Sequence, residues 1–190
     1  IANGNKNVTL GTGAGKTITS AEHGIAIGYE AIAAGAMTGT NNTAIGQNAG
    51  QDLTSGTYNN FMGYQAGFNA TTAINTVAIG RSVIGLGVLT GDGNIAIGHS
   101  AGYDLTSGTY NILQGYTAGS NVTTANYGIA IGYAAIGAGV MTGTDNTAIG
   151  RLAGQDLTSG TYNDFIGYSA APNATTANYG VAIGYLAMAS

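Results

Sequence analysis

A chain of 190 residues with 34 glycines, no cysteine, no tryptophan and only 6% charged side chains departs from ordinary globular composition, where roughly a quarter of residues are charged. The net charge of −4, with only four Lys+Arg, removes the electrostatic basis for nucleic-acid binding, and the lack of cysteine removes disulfide scaffolds and thiolate metal sites. Glycine keeps no three-residue period and no stretch reaches the ~18 apolar residues of a membrane helix, so collagen and a helical membrane insertion are also excluded.

Taken in chain order, the residues organise around a recurring glycine. The first copy is Thr9-Leu10-Gly11. Ala-Ile-Gly then closes at Gly28, Gly46, Gly80, Gly98, Gly132, Gly150 and Gly184. Variant copies close at Gly63 after Phe61-Met62, at Gly115 after Leu113-Gln114 and at Gly167 after Phe165-Ile166. Successive glycines lie 17 or 18 residues apart, and every third unit matches most closely, giving a super-repeat of 52. Thus Asp52-Leu53-Thr54-Ser55-Gly56-Thr57-Tyr58-Asn59 returns at 104–111 and again at 156–163.

A unit of this length is too short for a pair of helices and matches one coil of a parallel β-solenoid. The predicted fold is all-β: eleven coils over a single repeat domain, 1–190, each with two short strands joined by Gly- and Asn-rich turns. Coils ~4.8 Å apart would make a rod of about 50 Å. Two columns are predicted to fill the narrow interior. One is the isoleucine before each glycine (Ile27, Ile45, Ile79, Ile97, Ile131, Ile149, Ile183). The other is the small apolar residue three places after it (Ala14, Ala31, Ala49, Ala66, Val83, Ala101, Ala118, Ala135, Ala153, Ala170, Ala187). Strict alternation then turns Phe61, Leu113 and Phe165 outward, as a subunit interface of a homo-oligomer; the alternative is a local widening of the coil's own core.

The residue after each bend glycine forms the most conspicuous surface column: Tyr29, Gln47, Tyr64, Arg81, His99, Tyr116, Tyr133, Arg151, Tyr168 and Tyr185. Tyrosine and arginine on a weakly charged surface are typical contact residues, so this ladder is a candidate ligand face for a host-surface glycan or receptor; equally, the rings could pack only on one another. A second tyrosine set, Tyr58, Tyr110 and Tyr162, recurs every 52 residues.

Sites for catalysis, metals or cofactors find no support. Gly11-Thr12-Gly13-Ala14-Gly15-Lys16-Thr17 looks like a phosphate loop, but Leu10 stands where the first glycine is required. His23 and His99 fall in different columns with no cysteine to join them. Asp52, Asp104 and Asp156 are three coils apart, roughly 14 Å, too far for a glycosidase pair, and suit capping of the following turn. Asn-x-Thr triplets begin at Asn7, Asn41, Asn69, Asn121 and Asn173, and would matter only in a glycosylating host. The expectation is a non-enzyme with no cofactor.

The phrases Asn42-Thr43-Ala44-Ile45-Gly46, Asn94-Ile95-Ala96-Ile97-Gly98 and Asn146-Thr147-Ala148-Ile149-Gly150, each followed by x-x-Ala, resemble the head repeats of trimeric autotransporter adhesins, the YadA-like family. They are similar also to longer-coil repeats in tail fibres of phages and in large viruses. The resemblance covers essentially the whole chain. It implies a left-handed parallel β-roll assembled as a parallel homotrimer, extracellular, on a bacterial surface or a virion tail fibre, taking part in host attachment. It departs from the family in coil length and in the 52-residue super-repeat. Eleven coils is not a multiple of three, so end-to-end stacking would break the phase of the super-repeat, which favours a fragment of a longer fibre over a filament subunit. Two other functions fit the same residues. One is a pure spacer shaft. The other is an ice-binding solenoid, disfavoured because the Leu-Thr-Ser-Gly-Thr threonines return only every third coil.

Overall fold

In the computed structural model, which describes residues 6–188, the chain is an all-β parallel solenoid with no helix among the described residues. Eleven three-residue strands stack in one sheet in chain order: β1 (Val8–Leu10), β2 (Ile25–Ile27), β3 (Thr43–Ile45), β4 (Asn60–Met62), β5 (Val77–Ile79), β6 (Ile95–Ile97), β7 (Ile112–Gln114), β8 (Ile129–Ile131), β9 (Thr147–Ile149), β10 (Asp164–Ile166) and β11 (Val181–Ile183). Every neighbouring pair is parallel and in register, with Ala26 opposite Ala44, then Phe61, then Ala78. The coil has one strand where two were predicted. Its far side is held by bends, with isolated bridges among the described residues only at Ile18–Met37 and Val122–Met141.

The bends still hydrogen-bond from coil to coil. The Glu30 N–H donates to the Thr12 carbonyl at 3.0 Å, and the Asn48 N–H to the Tyr29 carbonyl at 2.8 Å. Backbone satisfaction along the axis therefore extends beyond the sheet, which is what lets such short strands persist. The bend glycines explain why the phrase ends where it does. All have φ between 124° and 134°, and a Cβ on Gly63 would run into the carbonyl oxygen of Gly80 in the next coil.

The interior reverses one expectation. The residue at the centre of each strand points inward: Ala26, Ala44, Phe61, Ala78, Ala96, Leu113, Ala130, Ala148, Phe165 and Ala182 are all buried. Phe61 and Phe165 are fully enclosed and Leu113 nearly so. These three side chains belong to the core of their own chain and cannot form a subunit interface. The isoleucine column, predicted inside, faces out and lies half-buried to exposed, as at Ile79 and Ile149. A three-residue strand has one inward position, and its centre takes it; β-branched Ile suits the flanking outward positions of a pleated surface. The alanine column three residues after each glycine is buried from Ala31 to Ala170, as predicted.

The super-repeat is a rule of volume. Coils with Ala26, Ala78 or Ala130 at the strand centre carry Ile32, Ile84 or Ile136 four residues beyond the bend glycine, all buried. Coils with Phe61 or Leu113 carry Gly67 or Gly119 there. The coils between, centred on Ala44, Ala96 and Ala148, carry Gly50, Gly102 and Gly154. A Cβ on Gly67 would meet three ring atoms of Phe61 at 2.8–2.9 Å, and one on Gly102 would lie 2.7 Å from Leu113 and 3.6 Å from Ile84. Each bulky centre thus fills space that a neighbouring glycine vacates. The cost shows in the backbone: Ile32, Ile84 and Ile136 sit at φ 47°, 47° and 46°, a left-handed conformation that disfavours a β-branched side chain by roughly 1–2 kcal/mol.

A second interior column is polar. Asn42, Asn59, Asn94, Asn111, Asn146 and Asn163 are buried just before their strands. Asn59 shows the pattern. Its Nδ2 donates to Asn42 Oδ1 at 3.0 Å and to the Ala73 carbonyl at 2.7 Å, while its Oδ1 accepts from the Thr76 N–H at 2.9 Å. Asn111 repeats this with Asn94, Ala125 and Gly128. The amides join coil to coil without leaving their own polar atoms unpaired. This asparagine column is structural.

Candidate interaction surfaces

Three columns reach the surface in a form that could contact another molecule. The first is the ladder after the bend glycine, brought into line because each coil superposes on the last. His99 stacks on Tyr116 with centroids 5.0 Å apart, Tyr116 on Tyr133 at 5.3 Å, and Tyr168 on Tyr185 at 5.2 Å. Arg151 lies between Tyr133 and Tyr168, 5.4 and 5.6 Å from their centroids, and Arg81 lies 5.9 Å from Tyr64. The predicted ladder residues from Tyr64 to Tyr185 therefore share one stripe. Tyr29, one coil beyond Gln47, is exposed and makes no ring stack among the described residues.

The stacking changes what the ladder can do. Where they stack, ring and guanidinium faces cover one another and leave less face for a pyranose ring than a bare tyrosine would. Solvent meets ring edges, phenol hydroxyls and guanidinium edges, a line of hydrogen-bonding groups at coil spacing.

The second tyrosine set is larger than its 52-residue recurrence indicated. Tyr110 stacks on Tyr127 at 5.5 Å and Tyr162 on Tyr179 at 5.2 Å, both pairs within 5° of parallel. Tyr127 and Tyr179 were missed because they have no counterpart after Tyr58, where Asn75 stands; a 17-residue offset from Tyr110 and Tyr162 would have found them.

The third surface is the outer side of the sheet. Its stripe beside the bend reads Leu10, Ile27, Ile45, Met62, Ile79, Ile97, Gln114, Ile131, Ile149, Ile166 and Ile183, aliphatic on every rung but one. The companion stripe at the strand starts adds Val8, Ile25, Val77, Ile95, Ile112, Ile129 and Val181.

Threonines also form a column. Thr19, Thr38, Thr54, Thr71, Thr90, Thr106, Thr123, Thr142, Thr158 and Thr175 occupy corresponding places in successive coils, although the Leu-Thr-Ser-Gly-Thr motif itself returns only every third coil. Uneven steps of 19, 16 and 17 residues hide the alignment in the sequence. The hydroxyls of Thr19, Thr54, Thr106 and Thr158 donate to the carbonyls of Met37, Thr71, Thr123 and Thr175 at 2.9–3.0 Å, which turns those donors along the axis instead of outward.

The structure does not bring the remaining candidates into a shared site among the described residues. In the phosphate-loop look-alike, the Gly15 N–H donates to the Ala31 carbonyl at 2.9 Å and Lys16 pairs with Glu30 at 3.0 Å, so the groups that would hold a phosphate are engaged. His23 is exposed in a left-handed bend, coils away from His99. The side chains of Asp52, Asp104 and Asp156 make no hydrogen bond to the turn that follows, contrary to the capping expectation; burial pushes the Asp52 and Asp104 carboxyls up, and Asp104 Oδ1 is buried without a partner. Asn69 and Asn121 donate to the carbonyls of Gly85 and Gly137 at 3.2 and 2.9 Å. No group of three or more metal-ligating side chains occurs among the described residues.

Compared with models of known families, with curated proteins and with solved structures, the chain matches none. The fold stands on its own geometry, and function must be argued from the surfaces.

Proposed function

We propose that this chain is a rod segment of an extracellular fibre or adhesin of the kind carried by bacteria and phages, in which three parallel copies pack their outer sheet faces together and leave the tyrosine–arginine ladder exposed. The observation that carries this reading is the aliphatic face. Ten of its eleven bend-side rungs are Leu, Ile or Met, several of them more than a third exposed, on a chain with very few charges to offset them. With the companion stripe, apolar except at Thr43, Asn60, Thr147 and Asp164, about 50 Å of rod carries an apolar face of at most roughly 500 Å² per copy, the size of the largest patches on soluble proteins, which are often interaction sites. Coils in register on one copy match coils in register on the next, so parallel association repeats the same contact at every rung. The resemblance of the Asn-Thr-Ala-Ile-Gly phrases to adhesin heads points the same way.

Light scattering after size exclusion tests the assembly. The expected mass is three times 18.7 kDa, falling to the single-chain mass in I79E/I131E with the β-rich circular dichroism retained. A wild-type monomer with this face bare would overturn the reading.

A further inference from the structure

We infer that the ladder from Tyr64 to Tyr185 is a binding track for a linear, carboxylate-bearing polysaccharide, with Arg81 and Arg151 as its two anion-reading points. This rests on the proposed display function and names the ligand class of that surface.

Both arginines of the chain fall in this one column. Their guanidinium faces lie against aromatic rings at 5.4–5.9 Å, yet among the described residues neither guanidinium donates a hydrogen bond to the protein and the only ion pair is Lys16–Glu30, elsewhere on the rod. The neighbouring column, from Asn48 through Ser82 and Leu152 to Leu186, holds no carboxylate. Each guanidinium is therefore fixed in orientation by stacking while its N–H fork stays open, the state that suits bidentate capture of a planar carboxylate. A surface arginine serving only the fold would more usually find an acid, and this chain has twice as many acids as bases.

The geometry selects the polymer. Arg81 and Arg151 are four coils apart, roughly 19 Å along the axis, with His99, Tyr116 and Tyr133 on the rungs between them. The intervening phenols offer hydroxyls that donate and accept, at a constant step about as long as one sugar unit of an extended chain. A repeating hydroxylated chain with periodic carboxylates meets every rung in the same way, which a folded protein surface cannot. Two cations in a chain of net charge −4 are too few for a phosphate backbone, which gains its affinity from many neutralised charges.

The test is affinity capillary electrophoresis of the intact protein with polygalacturonate, with its methyl-esterified form, and with polyglutamate as a carboxylated chain of different build. The inference predicts retardation by polygalacturonate that weakens with salt, at least tenfold weaker binding in R81Q/R151Q, and little binding of the ester or of polyglutamate. R151K, which keeps the charge but loses the fork, should bind several-fold more weakly than wild type. Unchanged thermal melting of these surface variants keeps the comparison clean. Equal binding of polyglutamate would assign the track to acidic peptides and overturn the inference, as would binding that ignores the arginine substitutions. Binding of the ester with equal strength would remove the carboxylate while leaving a glycan-display surface standing. Failure of every polymer on a trimeric rod would sink the track without touching the assembly.

Discussion

The coil that ends at Gly28 and the coil that ends at Gly63 trace the same path with different interiors. The first places Ala26 at its strand centre and Ile32 beyond the bend; the second places Phe61 at the centre and Gly67 beyond the bend. Bulk moves from one wall of the coil to the other while the backbone stays in register. A β-solenoid interior this narrow is filled by complementary pairs, not by one residue type per column, and three coils are needed before the pairing closes on itself.

Exchanging the two interiors tests this most severely. Phe61→Ala should destabilise by about 3–5 kcal/mol through the cavity it leaves. Gly67→Ile should destabilise as well, because its side chain meets the Phe61 ring. The double substitution rebuilds the Ala26–Ile32 arrangement and should recover part of the loss, a coupling on the order of 1–3 kcal/mol in urea denaturation. Additive losses would show that the columns are independent.

The polar column distinguishes the same coil types. Asparagine stands before β4, whereas Thr76 stands before β5 and its Oγ1 is buried without a partner. Asn59→Ala removes donors and an acceptor shared with Asn42, Ala73 and Thr76 and should cost about 2–4 kcal/mol, whereas Thr76→Val should stabilise by about 1 kcal/mol. Equal effects of the two, measured by chemical denaturation, would mean that the amide ladder does not link the coils.

The smallest effect is set by pH. Because burial raises the Asp104 carboxyl above its usual range, the folded state holds that proton more tightly than the unfolded chain. Stability from this group is full below the unfolded value near 3.8 and declines as pH rises through the raised folded value. Asp104→Asn should therefore raise the melting temperature slightly at pH 7 and leave it unchanged near pH 3. Asn121, which holds the corresponding place in the next coil, shows that an amide fits there.

The coil count, the register and the all-β class were legible because glycine spacing reports directly on a backbone that must repeat. Side-chain direction was less so. The isoleucines looked like core because they are the largest regular apolar residues, but direction along a three-residue strand is fixed by which residue sits at its centre. Phe61 was placed outside by the same step. The arginine–tyrosine column was visible as a column, while its face-to-face stacking, which decides what it offers a ligand, appears only once the coils are superposed. The tyrosine partners were obscured because Asn75 breaks their column after Tyr58, and the threonine column by its uneven steps of 19, 16 and 17 residues.

The volume rule also governs how such a rod can change length. Removing the coil of Gly102 would drive Ile84 into Leu113, since that glycine separates them now. A gene that gains or loses single coils would code for a mispacked seam, whereas gain or loss of 52 residues keeps bulky centres and their glycines in phase, with Ala171 the one departure beside Phe165. Recombination between near-identical copies therefore resizes the rod in steps of about 14 Å, and only in those steps.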